Sequence, residues 1–311
     1  MRGFILAAGF GTRLMPLTAG TPKALIPVCG MPLLERSLRF LSLQGITLIG
    51  VNAHYHAGQL MAFQKRTMHP FALFHEKKAI RGTGGGLYAA RRFLAGDEAF
   101  FVCNADILLD FDLRAVSDRF LHSDRDAALL VVPHEGDAVF YDAESHGYCG
   151  VPADTGRLAS MASGAFIGAA LYRPSFLDLL DKDDFSVVPV WKRGIDRGFK
   201  IGVLEVENCF WRDIGTPAAL ARAHFDCIDG TTPLAVPDRL SIDREGGRCF
   251  LRTMPEHTRR ALGRHAWVET EDMGEDVRVS ESVVFPGVNL TAGRIVERMI
   301  VTPDCEVPIG M

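Results

Sequence analysis

From Gly3 to Val132 short apolar runs alternate with segments of helical period: "GFILAA" then "PLLERSLRFLSLQG", "ITLIGVN" then "AGQLMAFQKR", "FALFHE" then "TGGGLYAARRFL", "AFFVCNAD" then "FDLRAVSDRFL", then "AALLVV". This rhythm confines the chain to an α/β fold. Parallel strands need a crossover, and each crossover helix lands on a face of the sheet, so a mostly parallel sheet covered on both faces is expected. Ligands on such sheets sit beyond the carboxyl ends of the strands. Between Pro133 and Leu158 the pattern breaks into short glycine-punctuated pieces that suit antiparallel strands or an insertion.

After Gly230 the texture changes. "DGTTPLAVPDRLSIDREGG" is polar and rich in turn formers, which places a boundary near Asp229 and divides the chain into 1–228 and 229–311. Positions 277, 283, 289, 295, 301 and 307 hold Val, Val, Asn, Ile, Val and Val, with Val284, Leu290 and Val296 in a second row. A period of six is the spacing of hexapeptide β-helix coils, and about two coils fit. An irregular β-rich tail is the alternative.

The 311 residues, 48% of them hydrophobic, suffice for one large domain and a smaller one. A net charge of −4, from 34 basic and 38 acidic residues, gives no electrostatic reason to expect nucleic acid or an anionic membrane as partner. A small-molecule partner is expected. No apolar run reaches the roughly 18 residues of a membrane span, and the N-terminus passes at once into a β-like segment, so the expected location is the cytoplasm. Seven cysteines without a CxxC pair indicate neither a disulfide framework nor a zinc ribbon and read as small buried hydrophobes.

The turn after the first strand is Ala8-Gly9-Phe10-Gly11-Thr12-Arg13. Glycines there free the backbone N–H groups to meet an anion. The turn fits neither familiar phosphate loop: position 14 is Leu rather than the third glycine of G-x-G-x-x-G, and no G-K-[ST] is present. Lys23 follows Pro22, in a segment that Pro16, Pro22, Pro27 and Pro32 stiffen. A stiffened loop that returns a lysine to a glycine turn suits a polyphosphate; two solvated surface cations are the plainer alternative. "NAHYH" sets His54 and His56 at metal-like spacing, but without a partner motif it reads as a loop. "SVVPVWKRGIDRG" reads as an amphipathic helix carrying Trp191, Lys192 and Arg193.

The opening "LAAGFGTRLMPLTAGTPKALIPVCGMPLLE" resembles the first motif of the nucleoside-diphosphate-sugar pyrophosphorylases, or sugar-1-phosphate nucleotidylyltransferases, and the likeness continues through "GTGGGLYAA", "FFVCNADI" and "FWRDIGTPAAL". It covers about residues 1–228. The resemblance implies a Rossmann-like three-layer nucleotidyltransferase domain, for which a short left-handed β-helix-like tail is common. It implies transfer of a nucleotidyl group from an NTP to a sugar 1-phosphate, with Mg2+ as cofactor. Arg13 and Lys23 would be catalytic. Leu6, Ala7, Ala8, Gly9, Gly11, Thr12, Glu76, Gly82, Thr83, Gly84 and Asn104 would contact the nucleotide, the three residues 82–84 lying against the base before a helix begins near Gly86. Asp106 and Asp213 would hold the metal, although Asp213 taken alone reads as a turn or N-cap aspartate. Gly150 and Phe166 would touch the sugar.

Two departures matter. Ala105-Asp106 replaces the common G-D, and "DTGRLASMASGAFIG" lacks the E-x-K-P or E-K-P stretch that clamps the sugar phosphate in many members. The chain is most similar to the branch of bacterial N-acetylmuramate-1-phosphate uridylyltransferases and mannose-1-phosphate guanylyltransferase-like proteins, which implies a role in cell-envelope polysaccharide supply. The open acceptor side also admits a phosphorylated alcohol such as phosphocholine. A non-catalytic regulatory subunit is the alternative from another class, and self-association through the tail is the expected homo-oligomeric contact.

Overall fold

The computed structural model describes residues 1–133, 139–150 and 161–310. These form two compact units, Met1–Phe10 with Leu34–Trp211, and Gly11–Leu33 with Arg212–Met311. None of the described helices is long and apolar enough to cross a membrane.

The first unit is built on a nine-stranded sheet. Ala72–His75, Ile49–Ala53, Arg2–Leu6 and Phe100–Asn104 lie side by side and parallel. The long strand Met161–Tyr172 then runs antiparallel to Phe100–Asn104 and to Ala127–Val132, and Ala127–Val132 pairs in parallel with Ile201–Glu205. Val139–Asp142 and Tyr148–Gly150 add an antiparallel pair at the far end of the long strand. The broken pattern after Pro133 is thus antiparallel where it is described; residues 134–138 and 151–160 lie outside the described residues.

Helices α1 (Leu33–Leu43), α2 (Ala57–Gln64), α3 (Gly82–Leu94), α4 (Leu113–Leu121) and α5 (Val188–Asp196) fall where the helical periods lie. Every residue of Ile49–Ala53 is buried, as a parallel strand covered on both faces requires. Phe4, Phe100, Tyr172, Phe176 and Trp191 anchor the core, and Trp191 donates its indole N–H to the Tyr172 hydroxyl at 3.2 Å.

The second unit joins the loop 11–33 to α6 (Pro217–Asp229) and a strand-rich tail. Thr216 caps α6 by accepting the Ala219 N–H, and Pro217 occupies its first turn. The tail is strand-rich and pairs mostly in parallel, with Leu240–Asp243 and Glu306–Pro308 antiparallel at the two edges of its larger sheet. Trp267 pairs with Cys249 and Val283, and Val283 with Ile300; Val279 pairs with Leu262 and Val296; Met273 pairs with Leu290. Partners therefore recur about every seventeen residues, close to the length of three hexapeptides. The buried row is Val279, Val284, Leu290, Val296 and Val301, in steps of five or six, whereas Asn289 and Ile295 point outward. The expected second row, Val284, Leu290 and Val296, is buried in steps of six, and of the expected first row Val277, Val283, Val301 and Val307 are buried. The pairing also starts earlier than the sequence period, at Arg248–Leu251.

All seven cysteines are free thiols. Cys29, Cys103, Cys227 and Cys249 are buried as expected; Cys149 is exposed, since it sits on the solvent side of a short strand.

Candidate active site

In the first unit the carboxyl ends of three parallel strands are tied by one buried amide. Asn52 is 1% exposed; its Oδ1 accepts the Ala7 N–H at 2.6 Å and its Nδ2 donates to Glu76 Oε1 at 2.8 Å. The second oxygen of Glu76 accepts the Arg81 N–H at 2.7 Å, at the start of α3. Glu76 is 4% exposed, so these bonds offset the cost of taking a carboxylate out of water. Its own backbone carbonyl meets His54 Nδ1 at 2.7 Å. His54, Tyr55 and His56 of "NAHYH" form the loop between the strand Ile49–Ala53 and α2.

Ala7 and Ala8 are buried behind this network, Leu6 is half-buried, and Gly9 is exposed with open space where a side chain would stand. The Ala7 N–H is committed to Asn52. Phe10 is exposed and meets His54 and Tyr55 edge-on, at 5.7 and 5.6 Å between ring centres.

Helix α3 starts at Gly82, earlier than the sequence suggests, because its first residues are held from outside. Thr83 Oγ1 accepts the Val187 N–H at 2.8 Å, and Gly84 donates its N–H to the Phe185 carbonyl at 3.3 Å. A Cβ on Gly82 would stand 2.0 Å from that carbonyl oxygen, and one on Gly84 2.7 Å from the Asp184 carbonyl oxygen. These glycines admit a neighbouring backbone. Asp184 in turn takes both arms of the Arg193 guanidinium, at 3.0 and 2.5 Å, which holds its carboxyl below the usual range.

Asn104 ends its strand half-buried, and Gly168, at φ 73, leaves room for the Asn104 amide, 3.0 Å from where a Cβ would lie. Asp106 follows, half-buried, with Ala105 donating to the Leu6 carbonyl at 3.0 Å. Burial first, and then the Asp106 charge, push the Cys103 thiol up to about 12. Gly150 closes its strand opposite Phe140, and Phe166 packs edge-on against Trp191 at 5.7 Å. Of the stretch 154–168, where the missing E-K-P is noted, residues 154–160 lie outside the described residues.

The second unit carries the cations. Gly11, at φ 65, begins a short 3-10 turn, Thr12–Leu14, that leaves Thr12 and Arg13 exposed. A Cβ on Gly11 would lie 3.0 Å from the Lys23 Cβ, and the Thr18 hydroxyl donates to the Gly11 carbonyl at 2.9 Å. Glycine thus lets the lysine segment close on the turn. Arg13 Nη2 lies 3.7 Å from Asp213 Oδ2. Gly215 makes this fit: a Cβ there would stand 2.4 Å from Asp213 Oδ1 and 2.7 Å from Arg13 Nη1. Sequence reasoning missed Asn52 and Gly215. The signal for Asn52 is a single amide inside the apolar strand "IGVNA"; for Gly215 only the neighbouring motif pointed to the place.

The first unit is thus a mostly parallel α/β sheet with buried polar ties at the strand ends, where the ligands of such sheets lie, and the second unit carries an arginine, a lysine and an aspartate held by Gly11 and Gly215. The model of the MobA-like NTP transferase domain matches residues 3–196, and the chain belongs to that family. It is 28% identical over 234 residues to mannose-1-phosphate guanyltransferase beta-B of Xenopus laevis, and 26% identical over 230 residues to mannose-1-phosphate guanyltransferase of Candida albicans. Each match takes in 70% of this chain and 62% of the relative, so the chain spans less than two thirds of those proteins' length. The structure of the inositol-1-phosphate CTP transferase from T. maritima has the same fold, with TM-score 0.59 and 17% identity over 70% of this chain and 90% of that one.

Proposed function

We propose that the protein transfers a nucleotidyl group from a nucleoside triphosphate to a sugar 1-phosphate, releasing pyrophosphate. The observation that carries this reading is the set Gly11, Arg13, Lys23 and Asp213, two cations and a carboxylate fixed around a glycine turn by close contacts that side chains at 11 and 215 would break. Such a reaction needs positioning and charge stabilisation more than covalent help from the protein. In this reading Ala8 to Thr12 lines the triphosphate, Arg13 neutralises the departing pyrophosphate, and Lys23 sits at the α-phosphate as the sugar phosphate oxygen attacks in line. Ala7 holds the turn through Asn52 instead of meeting the ligand.

Asp106 and Asp213 would hold a divalent ion, for which Mg2+ is the proposed identity. The donor set fits: both are oxygen ligands, and Asp213 has a side chain 46% exposed and only a loose ion pair to Arg13. A site of two carboxylates leaves the remaining positions to phosphate and water, as Mg2+ prefers. When bound, the ion would offset repulsion between two anionic reactants. The proposed sugar contacts are Gly150 and Phe166, and the proposed nucleotide contacts include Glu76, Gly82 to Gly84 and Asn104, of which Glu76 is buried and bonded through both oxygens and Gly82 and Gly84 pack on the 184–186 backbone.

The test is pyrophosphate release from each NTP against a panel of sugar 1-phosphates and phosphocholine, with and without Mg2+. Turnover with a sugar 1-phosphate supports the reading. Tight nucleotide binding without turnover on any acceptor would replace it with a regulatory role.

A further inference from the structure

The loop 11–33 carries Arg13 and Lys23, and it is anchored at its far end by residues of the tail. Pro27–Val28 and Met31–Pro32 form a hairpin whose two turn residues, Cys29 and Gly30, both have positive φ, 48 and 78. That is the primed turn favoured between twisted strands, and a non-glycine at its first position is held there by its surroundings. Cys29 donates its N–H to His224 Nε2 at 3.0 Å, while His224 Nδ1 lies 2.8 Å from the Leu220 carbonyl. A carbonyl can only accept, so Nδ1 carries the proton and Nε2 is free to receive Cys29. The Gly30 carbonyl accepts from Arg239 Nη2 at 2.8 Å. A Cβ on Gly30 would meet Leu240 at 2.7 Å.

The same Arg239 nitrogen lies 2.9 Å from Oε2 of Glu269, whose side chain is 0% exposed, and the other Glu269 oxygen accepts the Trp267 indole N–H at 2.9 Å. Trp267 also meets the His224 ring edge-on at 4.9 Å. Glu269, Trp267, Arg239 and His224 thus converge on one two-residue turn. The Glu269 carboxylate is buried whereas the Arg239 side chain is 49% exposed, so the pair adds little net stability, because desolvation of the carboxylate and solvent screening of the guanidinium cancel most of the attraction; what it supplies is a direction. Here it aims the guanidinium at the Gly30 carbonyl. From the turn the path back is short. Leu33 donates to the Ile26 carbonyl at 3.1 Å, Ile26 to the Lys23 carbonyl at 3.1 Å, and Lys23 packs against Gly11.

We propose that Arg239, oriented by Glu269, is a positioning residue for the phosphate-facing loop, so that the first strands of the tail are part of the scaffold that sets Lys23 and Arg13. This rests on the function proposed above. The test uses the full chain with R239A, R239K and E269Q, and reads two quantities: steady-state pyrophosphate release, and hydrogen exchange of peptides covering 11–33 and 2–6. R239A is expected to lower kcat by roughly tenfold to a hundredfold, the scale of a small misplacement of reacting groups. It should speed exchange in 11–33 and leave 2–6 unchanged. R239K, which keeps a donor for Gly30, should fall between wild type and R239A, and E269Q should follow R239A in direction. A lowered melting temperature with wild-type kcat, KM and exchange at 11–33 would overturn the proposal. Should R239A fail to fold, R239K and E269Q decide it by the same two readings. If the wild type turns over no substrate, the proposed function fails, while the exchange arm still decides whether Arg239 holds the loop.

Discussion

Arg13 and Asp213, far apart in the sequence, face one another at 3.7 Å over a glycine, Gly215, that has no room for a side chain. Both are largely exposed, so the pair adds little to stability, and its geometry is what Gly215 protects. Gly215→Ala should therefore lower kcat/KM for pyrophosphate release by about tenfold or more while shifting stability by less than about 1 kcal/mol. Asp213→Asn and Arg13→Ala should each cost ~10²-fold or more in kcat, the scale of losing a charge-stabilising group. Steady-state kinetics beside urea melts check both; a large loss of stability with normal kinetics would contradict the assignment.

Asn52 holds Ala7 and Glu76 together from within a strand that is otherwise apolar. Replacing it by leucine keeps the branched shape but leaves a buried N–H and a buried carboxylate oxygen short of partners. Asn52→Leu should destabilise the protein by about 2–4 kcal/mol, given roughly 1–3 kcal/mol for each unsatisfied group. Gly86→Ala presses on the same amide, since its Cβ would lie 2.8 Å from Asn52 Nδ2. It should lose less, because a side-chain amide can shift. Equilibrium denaturation of the two variants tests the order.

At Gly82 the obstacle is backbone, and a carbonyl cannot swing aside as a side chain can. Gly82→Ala combines a positive φ of 67 with a Cβ 2.0 Å from the Phe185 oxygen. The conformational term alone is about 1–2 kcal/mol, so the segment 184–187 must separate from the start of α3. Limited proteolysis should open a new site within 181–187 in this variant and not in wild type. If cleavage patterns match, the glycine is there for some other reason.

The alternation of "GFILAA", "ITLIGVN", "FALFHE" and "AFFVCNAD" with helical periods made the parallel sheet legible, because continuous apolar strands and crossover helices answer to local pattern. The antiparallel direction of Met161–Tyr172 is set by pairing with distant strands and leaves no local mark. The glycine turn and its cations were legible through the resemblance of the opening motif, since by spacing alone the turn fits neither familiar phosphate loop and the cations read as solvated surface charges. Asn52 and Gly215 were not, since their roles depend on partners far along the chain. In the tail the period of six was visible and marks the buried Val284, Leu290 and Val296, whereas the exposure of Asn289 and Ile295 in the neighbouring row is not given by spacing alone.

The Asp184 carboxylate joins the Arg193 guanidinium by two bonds, accepts the Asp181 N–H at 2.7 Å, and presents its own backbone to Gly84. The Arg193 bonds, more than any other cause, hold its carboxyl below the usual range, while partial burial works in the opposite sense. A carboxyl whose pKa is lower folded than unfolded binds protons more readily in the unfolded chain. Its stabilisation is therefore complete above the unfolded value near about 4 and is lost as pH falls through the lower folded value. Arg193→Gln removes the cause, so the variant should be less stable than wild type at pH 7, with the difference shrinking below about pH 4. Urea midpoints measured from pH 7 down to about pH 3 test this; a gap that stays constant with pH would mean that Arg193 acts through its bond to the Leu179 carbonyl at 2.6 Å rather than through Asp184.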